Sequence, residues 1–90
     1  NDTTFLEAAG ALSKKMRSLE HGFRLVLIRS PLRKELVRLQ ALYSTMEKHY
    51  ENNVKAAENL LKSAGLSEGN AAMVTVANVL LNLDETLTKP

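Results

Sequence analysis

The most apolar stretch of the chain lies towards its C-terminal end, at residues 71–85. At 3.6 residues per turn its apolar positions form a wide stripe and leave only a narrow polar face. The stripe comprises Met73, Val76, Ala77, Leu80, Leu83 and Leu87, with Val74, Val79 and Leu81 beside it. The polar face comprises Thr75, Asn78, Asn82 and Glu85. A helix that is apolar around most of its surface needs cover, so we expect the domain to be built around it, with Leu80 and Leu83 among its most buried residues.

Two shorter amphipathic segments open the chain. The first follows the capping candidates Asp2, Thr3 and Thr4 and carries one apolar stripe at Phe5, Ala9, Leu12, Met16 and Leu19. The second restarts near Ser18 to His21 and is apolar on more than one side, at Phe23, Leu25, Val26, Leu27 and Ile28. We therefore expect this second helix to be mostly buried. Arg29-Ser30-Pro31 ends it, since the residue before proline avoids the helical region, and Ser30 is the predicted cap of the third helix.

The third helix is long and amphipathic. Its apolar positions are Leu36, Leu39, Leu42, Tyr43, Met46 and Tyr50. Asn52-Asn53 interrupts the pattern as a break or a kink, and a short fourth helix resumes it at Val54, Ala57, Leu60 and Leu61. Gly65 predicts a left-handed stop, and either Ser67 or Asn70 can cap the closing helix.

These patterns predict an all-α fold, a compact bundle of about five helices with one long central amphipathic helix and an apolar C-terminal helix. No stretch alternates as a strand does, and no repeat or internal boundary is visible, so residues 1–90 should form a single helical domain. Aromatic residues make up 4% of the chain, so aliphatic side chains must fill a modest core. Gly10 in the first helix permits a close crossing by a neighbouring helix.

The charge of the chain is small but unevenly distributed. Residues 1–45 carry eight Lys and Arg against four Asp and Glu, a net +4, and residues 46–90 carry four against six, a net −2, which gives +2 in all. Five cations flank the turn before the third helix and form a candidate interaction surface: Arg24, Arg29, Arg33, Lys34 and Arg38. The arrangement invites comparison with a helix-turn-helix reader of DNA. No aromatic or Asn/Gln-rich recognition face accompanies it, so a solvated basic face has more support than nucleic-acid binding.

The sequence offers little chemistry for catalysis or metal binding. There is no cysteine, and His21 and His49 lack the spacing that places two ligands on one helical face. Asp84 and Glu85 point about 100° apart on a helix and have no acidic loop to complete a cation site. We therefore expect no catalytic or metal-binding residues, no cofactor in this chain and no autonomous enzyme. No apolar run is long enough to span a membrane.

Three separated stretches carry a family resemblance. They are Asn1-Asp2 with Phe5-Leu6-Glu7-Ala8-Ala9; Phe23-Arg24-Leu25-Val26-Leu27 with Arg29 and Pro31; and Val76 to Thr88, which contains Leu-Leu-Asn-Leu-Asp-Glu. In order and spacing the chain resembles the extreme C-terminal region of a family of large exported proteins of planctomycetes and related bacteria, which join a c-type cytochrome module to two conserved domains of unknown function. Leu32 stands where that family usually has Thr or Ser, Met73 where it often has Trp, and the loop at residues 66–70 is shorter.

The resemblance implies an exported or periplasmic location and a multidomain parent, of which this chain is expected to be an excised C-terminal piece. It supplies no catalytic residues. The leading hypothesis is a non-catalytic structural or interaction module, whose partners are the other domains of the parent or a second copy. The alternative is the terminal helical part of a catalytic domain with its active site upstream, where Asn78 and Asn82 give at most supporting contacts. A small basic nucleic-acid-binding domain is the third hypothesis.

Overall fold

The chain forms helices where the sequence predicts them. A computed structural model describes the backbone of residues 3–88 and the side chains of residues 5–84. The helices are α1 (Thr3–Lys15), α2 (Leu19–Leu27), α3 (Arg33–Glu51), α4 (Val54–Ser63) and α5 (Ala71–Thr88). No strand occurs in residues 3–88, so the all-α bundle is confirmed for that range. Among the residues named above, Asp2 and the side chains of Thr3, Thr4, Glu85 and Leu87 lie outside the described range.

Helix α5 is shared by the whole bundle, because it packs against each of the other four helices. Val74, Val76 and Leu80 on α5 are fully buried, and Phe23 of α2 packs into the same core. The expected burial of Leu80 is therefore confirmed. The expected burial of Leu83 is wrong, since this residue is 42% exposed. Leu83 lies seven positions after the fully buried Val76 and therefore on the same side of α5, so the cover on this side is lost towards the C-terminal end of the helix.

The narrow polar face of α5 is also partly enclosed. Asn78 is 8% exposed, and its Oδ1 atom has no hydrogen-bond partner among the described residues. The Thr75 hydroxyl donates to the carbonyl oxygen of Ala71 over 3.0 Å and lies 3.3 Å from the Tyr50 hydroxyl. Asn82 Nδ2 donates to the Asn78 carbonyl oxygen over 2.8 Å. Neighbouring helices on several sides of α5 leave this face little access to water.

The first helix is shorter than its apolar stripe. Helix α1 ends at Lys15, Met16 is buried in the connection, and Leu19 opens α2. Ser18 sets this start, because its hydroxyl accepts the backbone N–H of His21 over 3.0 Å. The single stripe predicted for α1 is thus divided between two helices and their connection.

The close crossing predicted at Gly10 is confirmed. A β-carbon added to Gly10 would lie 2.6 Å from the backbone carbonyl oxygen of Ala64, the residue that follows α4. Such a contact is too short for any real side chain. Helix α1 therefore approaches the end of α4 more closely than any other residue at position 10 allows.

The predicted cap of α3 at Ser30 is wrong. The helix begins at Arg33, and Leu32 occupies the cap position with extended backbone dihedrals of φ −69° and ψ 156°. The carboxylate of Glu35 accepts the Leu32 N–H over 2.8 Å. This bond from the third helical residue back to the cap is half of a capping box, and it fixes the start two residues later than Ser30 and Pro31 suggest.

Two predicted loop features hold the second half of the bundle together. Gly65 has a left-handed φ of +78°, as expected for the stop after α4. Of the two candidate caps for α5, Asn70 is the one used, since its Oδ1 accepts the Met73 N–H over 3.1 Å. Asn70 Nδ2 also donates to the Tyr43 hydroxyl over 2.8 Å, which ties the start of α5 to α3.

Candidate interaction surface

The turn between α2 and α3 exposes basic and apolar side chains together. We call this region the α2–α3 corner. Its cations are the five predicted from the sequence, Arg24, Arg29, Arg33, Lys34 and Arg38, and its exposed apolar residues are Leu25, Ile28, Leu32 and Val37. The structure thus adds an apolar component to a surface that the sequence describes only by its charge.

Two shallow grooves divide these residues. One is lined by Leu32, Arg33, Lys34, Val37 and Arg38. The other is lined by Arg17, His21, Arg24, Leu25, Ile28, Arg29 and Ser30. Along the chain the two grooves are two residues apart, because one lining ends at Ser30 and the other begins at Leu32. Each groove therefore combines apolar side chains with cations.

The exposure of this side of α2 overturns the prediction that the helix is mostly buried. Phe23 and Gly22 face the core, but Leu25 is exposed and Ile28, just past the helix, is 82% exposed. The helix is covered on one side only: Leu19, Val26 and Leu27 are half-buried against the core, and Leu25 remains at the surface. Apolar positions on several sides of a short helix therefore indicate here a surface patch as well as a core contact.

Arg29 connects the two helices of the corner through contacts with Glu35 of α3 and Phe23 of α2. Its Nη1 and Nη2 atoms donate to Oε1 and Oε2 of Glu35 over 2.9 and 3.0 Å, and its guanidinium lies 4.9 Å from the centre of the Phe23 ring. The hydrogen bonds from Arg29, and then the one from the Leu32 N–H, lower the pKa of Glu35 to about 2. The same contact with Glu35 raises the pKa of Arg29 above its ordinary value.

The other four cations of the corner are open. Arg24, Arg33, Lys34 and Arg38 are exposed, and none of them forms an ion pair within the part of the chain that the structure describes. We call these four the open cations. They are available to a negatively charged partner without the loss of an existing ion pair.

Ile28 has an unusual backbone for its residue type. Its dihedrals of φ 56° and ψ 36° are left-handed, and its N–H donates to the Arg24 carbonyl oxygen over 3.0 Å to end α2. Glycine is the usual residue at such a helix end, because a side chain crowds the backbone there. A β-branched residue in this region is a rare exception, and strained backbone of this kind costs about 1–3 kcal/mol.

The start of α3 also carries locally unfavourable residues. Arg33 and Lys34 occupy its first turn, where the exposed N–H groups give the helix a partial positive charge. Anionic residues in this turn usually stabilise a helix by about 0.3–1 kcal/mol each, and cations have the opposite effect. Leu32 at the cap has no oxygen to accept the N–H groups of the first turn, as Ser or Asp would. Glu35, the acidic residue in the first turn of α3, offsets part of this loss of helix stability.

Some features of the corner have a signal in the sequence, and others do not. The spacing of Leu32 and Glu35 signals the true start of α3, because a Glu three residues after a cap position is characteristic of that site. His21 has a structural role, since its Nδ1 accepts the backbone N–H of Arg17 over 3.0 Å. No sequence signal indicates the left-handed backbone of Ile28.

No group of three or more His, Asp or Glu side chains in the part of the chain that the structure describes could hold a metal ion. None of the described helices combines the length and the hydrophobicity needed to cross a membrane. Comparisons of the chain with protein-family models, with curated proteins and with solved protein structures found no match.

Proposed function

We propose that this domain is a non-catalytic interaction module at the C-terminus of a larger exported protein that carries a c-type cytochrome module, and that it contacts other domains of that protein. The proposal takes the parent protein and its location from the family resemblance of the sequence. It takes the mode of action from the α2–α3 corner. The corner is the contact surface in this account, and α5 serves to hold the bundle together.

The observation that carries the proposal is the joint exposure of Ile28, Leu25 and the open cations at one corner. Exposed apolar side chains gathered at one place, with polar residues around them, are typical of protein contact sites. Arginine is enriched in such interfaces because it combines charge, hydrogen bonding and an apolar stem. The Arg29–Glu35 pair holds the corner in shape before a partner arrives.

The direct test supplies the upstream region of the parent protein in trans to this chain and measures binding by calorimetry. The key variant is Arg33→Glu with Lys34→Glu, which reverses two open cations and favours α3 through its helix dipole. Its matched control is Lys55→Glu with Lys62→Glu on α4, which makes the same charge change elsewhere.

We expect the unchanged chain and the α4 control to bind and the α3 variant to bind at least ~10-fold more weakly, in a salt-dependent manner. If the unchanged chain does not bind the upstream region, the proposed partner is wrong. Equal binding by both variants would place the contact elsewhere on the domain.

A further inference from the structure

We infer that the α2–α3 corner docks an acidic amphipathic helix of a protein partner, and that Ile28 is the anchor residue of this contact. The inference rests on the proposed function and specifies the chemistry of the partner. It assigns the apolar side chains of the corner to the apolar face of the partner helix. The open cations face the partner's carboxylates.

Charge complementarity identifies the partner as acidic. The open cations line the same grooves as the exposed apolar side chains. Glu35, the acidic residue in the first turn of α3, is already bound by Arg29 and by the Leu32 N–H. A basic partner would meet these cations without compensation. An amphipathic helix places apolar and acidic residues on adjoining faces, and this matches grooves that hold apolar residues and cations together.

Several residues at the corner are poorly suited to their local backbone, and this pattern points to Ile28 as the anchor. A glycine at position 28, a Ser or Asp at position 32 and acidic residues at positions 33 and 34 would each suit the local backbone better. Sequences break such local rules mainly at functional sites, where the residue serves a contact that the isolated fold does not show. Of the apolar residues here, Ile28 combines the greatest exposure with the greatest local strain.

Three other occupants fit less well. A second copy joined by the same face would oppose four open cations with four more. A nucleic acid would use the cations, but its phosphates have no use for Ile28 or Val37. An anionic bilayer favours apolar side chains that project together from a convex tip, whereas the apolar residues here are divided between two grooves. Each of these occupants is an outcome of the test below.

The test separates folding from binding through two substitutions at one position. Ile28→Gly and Ile28→Asn both suit left-handed backbone and both remove the apolar side chain. Val54→Asn is the matched control, because Val54 is also β-branched and is 62% exposed. Val54 follows the far end of α3, a helix of 19 residues, and so lies about 28 Å from the corner along that helix.

The probe is a synthetic helical peptide with one leucine face and one glutamate face, and its counterpart carries lysine in place of glutamate. Anionic lipid vesicles and duplex DNA are titrated in parallel. We expect the unchanged chain to bind the glutamate peptide and to ignore the lysine peptide. Ile28→Gly and Ile28→Asn should bind the glutamate peptide at least ~10-fold more weakly, while Val54→Asn binds normally.

The same Ile28→Gly protein should melt about 4–8 °C higher than the unchanged chain, because the strain is removed. Undiminished peptide binding by both Ile28 variants overturns the inference, and so does tighter binding of the unchanged chain to vesicles or DNA than to the peptide. Peptide binding at the corner combined with no binding to the parent's upstream region would instead refute only the proposed parent partner.

Discussion

Arg29 and Glu35 form a two-pronged ion pair across the turn between α2 and α3, with hydrogen bonds of 2.9 and 3.0 Å. The pair joins the residue just after one helix to the first turn of the next. Glu35 uses the same carboxylate to accept the Leu32 N–H, so one side chain both caps α3 and fixes the angle of the turn. The contacts that shape the corner therefore lie within the chain itself.

This pair predicts a specific dependence of stability on pH. The folded state lowers the pKa of Glu35 from its ordinary 4.5 to about 2. A lowered carboxyl pKa contributes stability that is fully present above pH 4.5 and is lost as the pH falls from 4.5 towards 2. We expect Glu35→Gln to lower the free energy of unfolding at pH 7 and to have much less effect near pH 2.

Urea unfolding of both proteins between pH 2 and 7 measures this difference, and comparing them removes the effect of the other carboxyl groups. Glu47→Gln is the control, since Glu47 lies exposed on α3. A Glu35→Gln effect of the same size at both ends of the range would contradict the assigned ion pair.

The close contact between Gly10 and Ala64 predicts a loss of stability on substitution with alanine. Alanine favours a helix interior over glycine by about 1 kcal/mol, so propensity alone predicts a gain. The added β-carbon would lie 2.6 Å from the Ala64 carbonyl oxygen, and we expect the resulting strain to give a net loss of about 1–3 kcal/mol. Gly22→Ala is the comparison, because there the crowded neighbour is the flexible Met16 side chain, and its loss should be smaller. If Gly10→Ala raises the free energy of unfolding, α1 does not approach the end of α4 as closely as described.

The orientation of α5 predicts unequal effects for two leucines on the same helix. Leu80 is fully buried, so Leu80→Ala should cost about 2–5 kcal/mol. Leu83 is 42% exposed, and Leu83→Ala should cost less than about 1 kcal/mol. Urea unfolding of the two variants compares them directly. Equal losses would mean that the C-terminal part of α5 is covered, contrary to the exposure described for Leu83.

Asn78 predicts a gain in stability. Its Oδ1 atom is buried and has no partner within the described part of the chain, and such an unsatisfied group costs about 1–3 kcal/mol relative to a satisfied or apolar one. Asn78→Leu, which keeps the branched shape, should raise the free energy of unfolding by about 1 kcal/mol. Asn59→Leu on the exposed face of α4 should change it by less than about 0.5 kcal/mol. A clear loss with Asn78→Leu would indicate a hydrogen bond that the amide makes in solution.

Much of the fold follows from local patterns that the sequence shows directly. The apolar period, the break at Asn52-Asn53 and the stop at Gly65 place five helices, and Leu80 is recognisable as a core residue. The errors arise where tertiary packing decides. Whether Leu83 is buried depends on how far along α5 the cover from neighbouring helices extends, and a stripe that runs the length of the helix does not show where that cover ends.

The candidate surface is less accessible to sequence reasoning. Its five cations are evident from their positions around Pro31, but the exposure of Ile28 and Leu25 depends on which side of α2 meets the core. The strain at Ile28 is a property of backbone dihedrals, and an isoleucine gives no sign of it. The start of α3 does have a sequence signal, because Glu35 lies three residues after the cap position. Ser30 and Pro31 form a more familiar start signal, and they indicate the wrong position.

The most direct measurement of the central claim is side-chain labelling by hydroxyl radicals, applied to this isolated chain and to the intact parent protein. If the domain is an interaction module, Ile28 and Leu25 should be labelled strongly in the isolated chain and should be protected in the parent. Val54, the first residue of α4, should be labelled similarly in both. Equal labelling of Ile28 in the two proteins would show that no partner within the parent covers the α2–α3 corner, and it would contradict the proposed function.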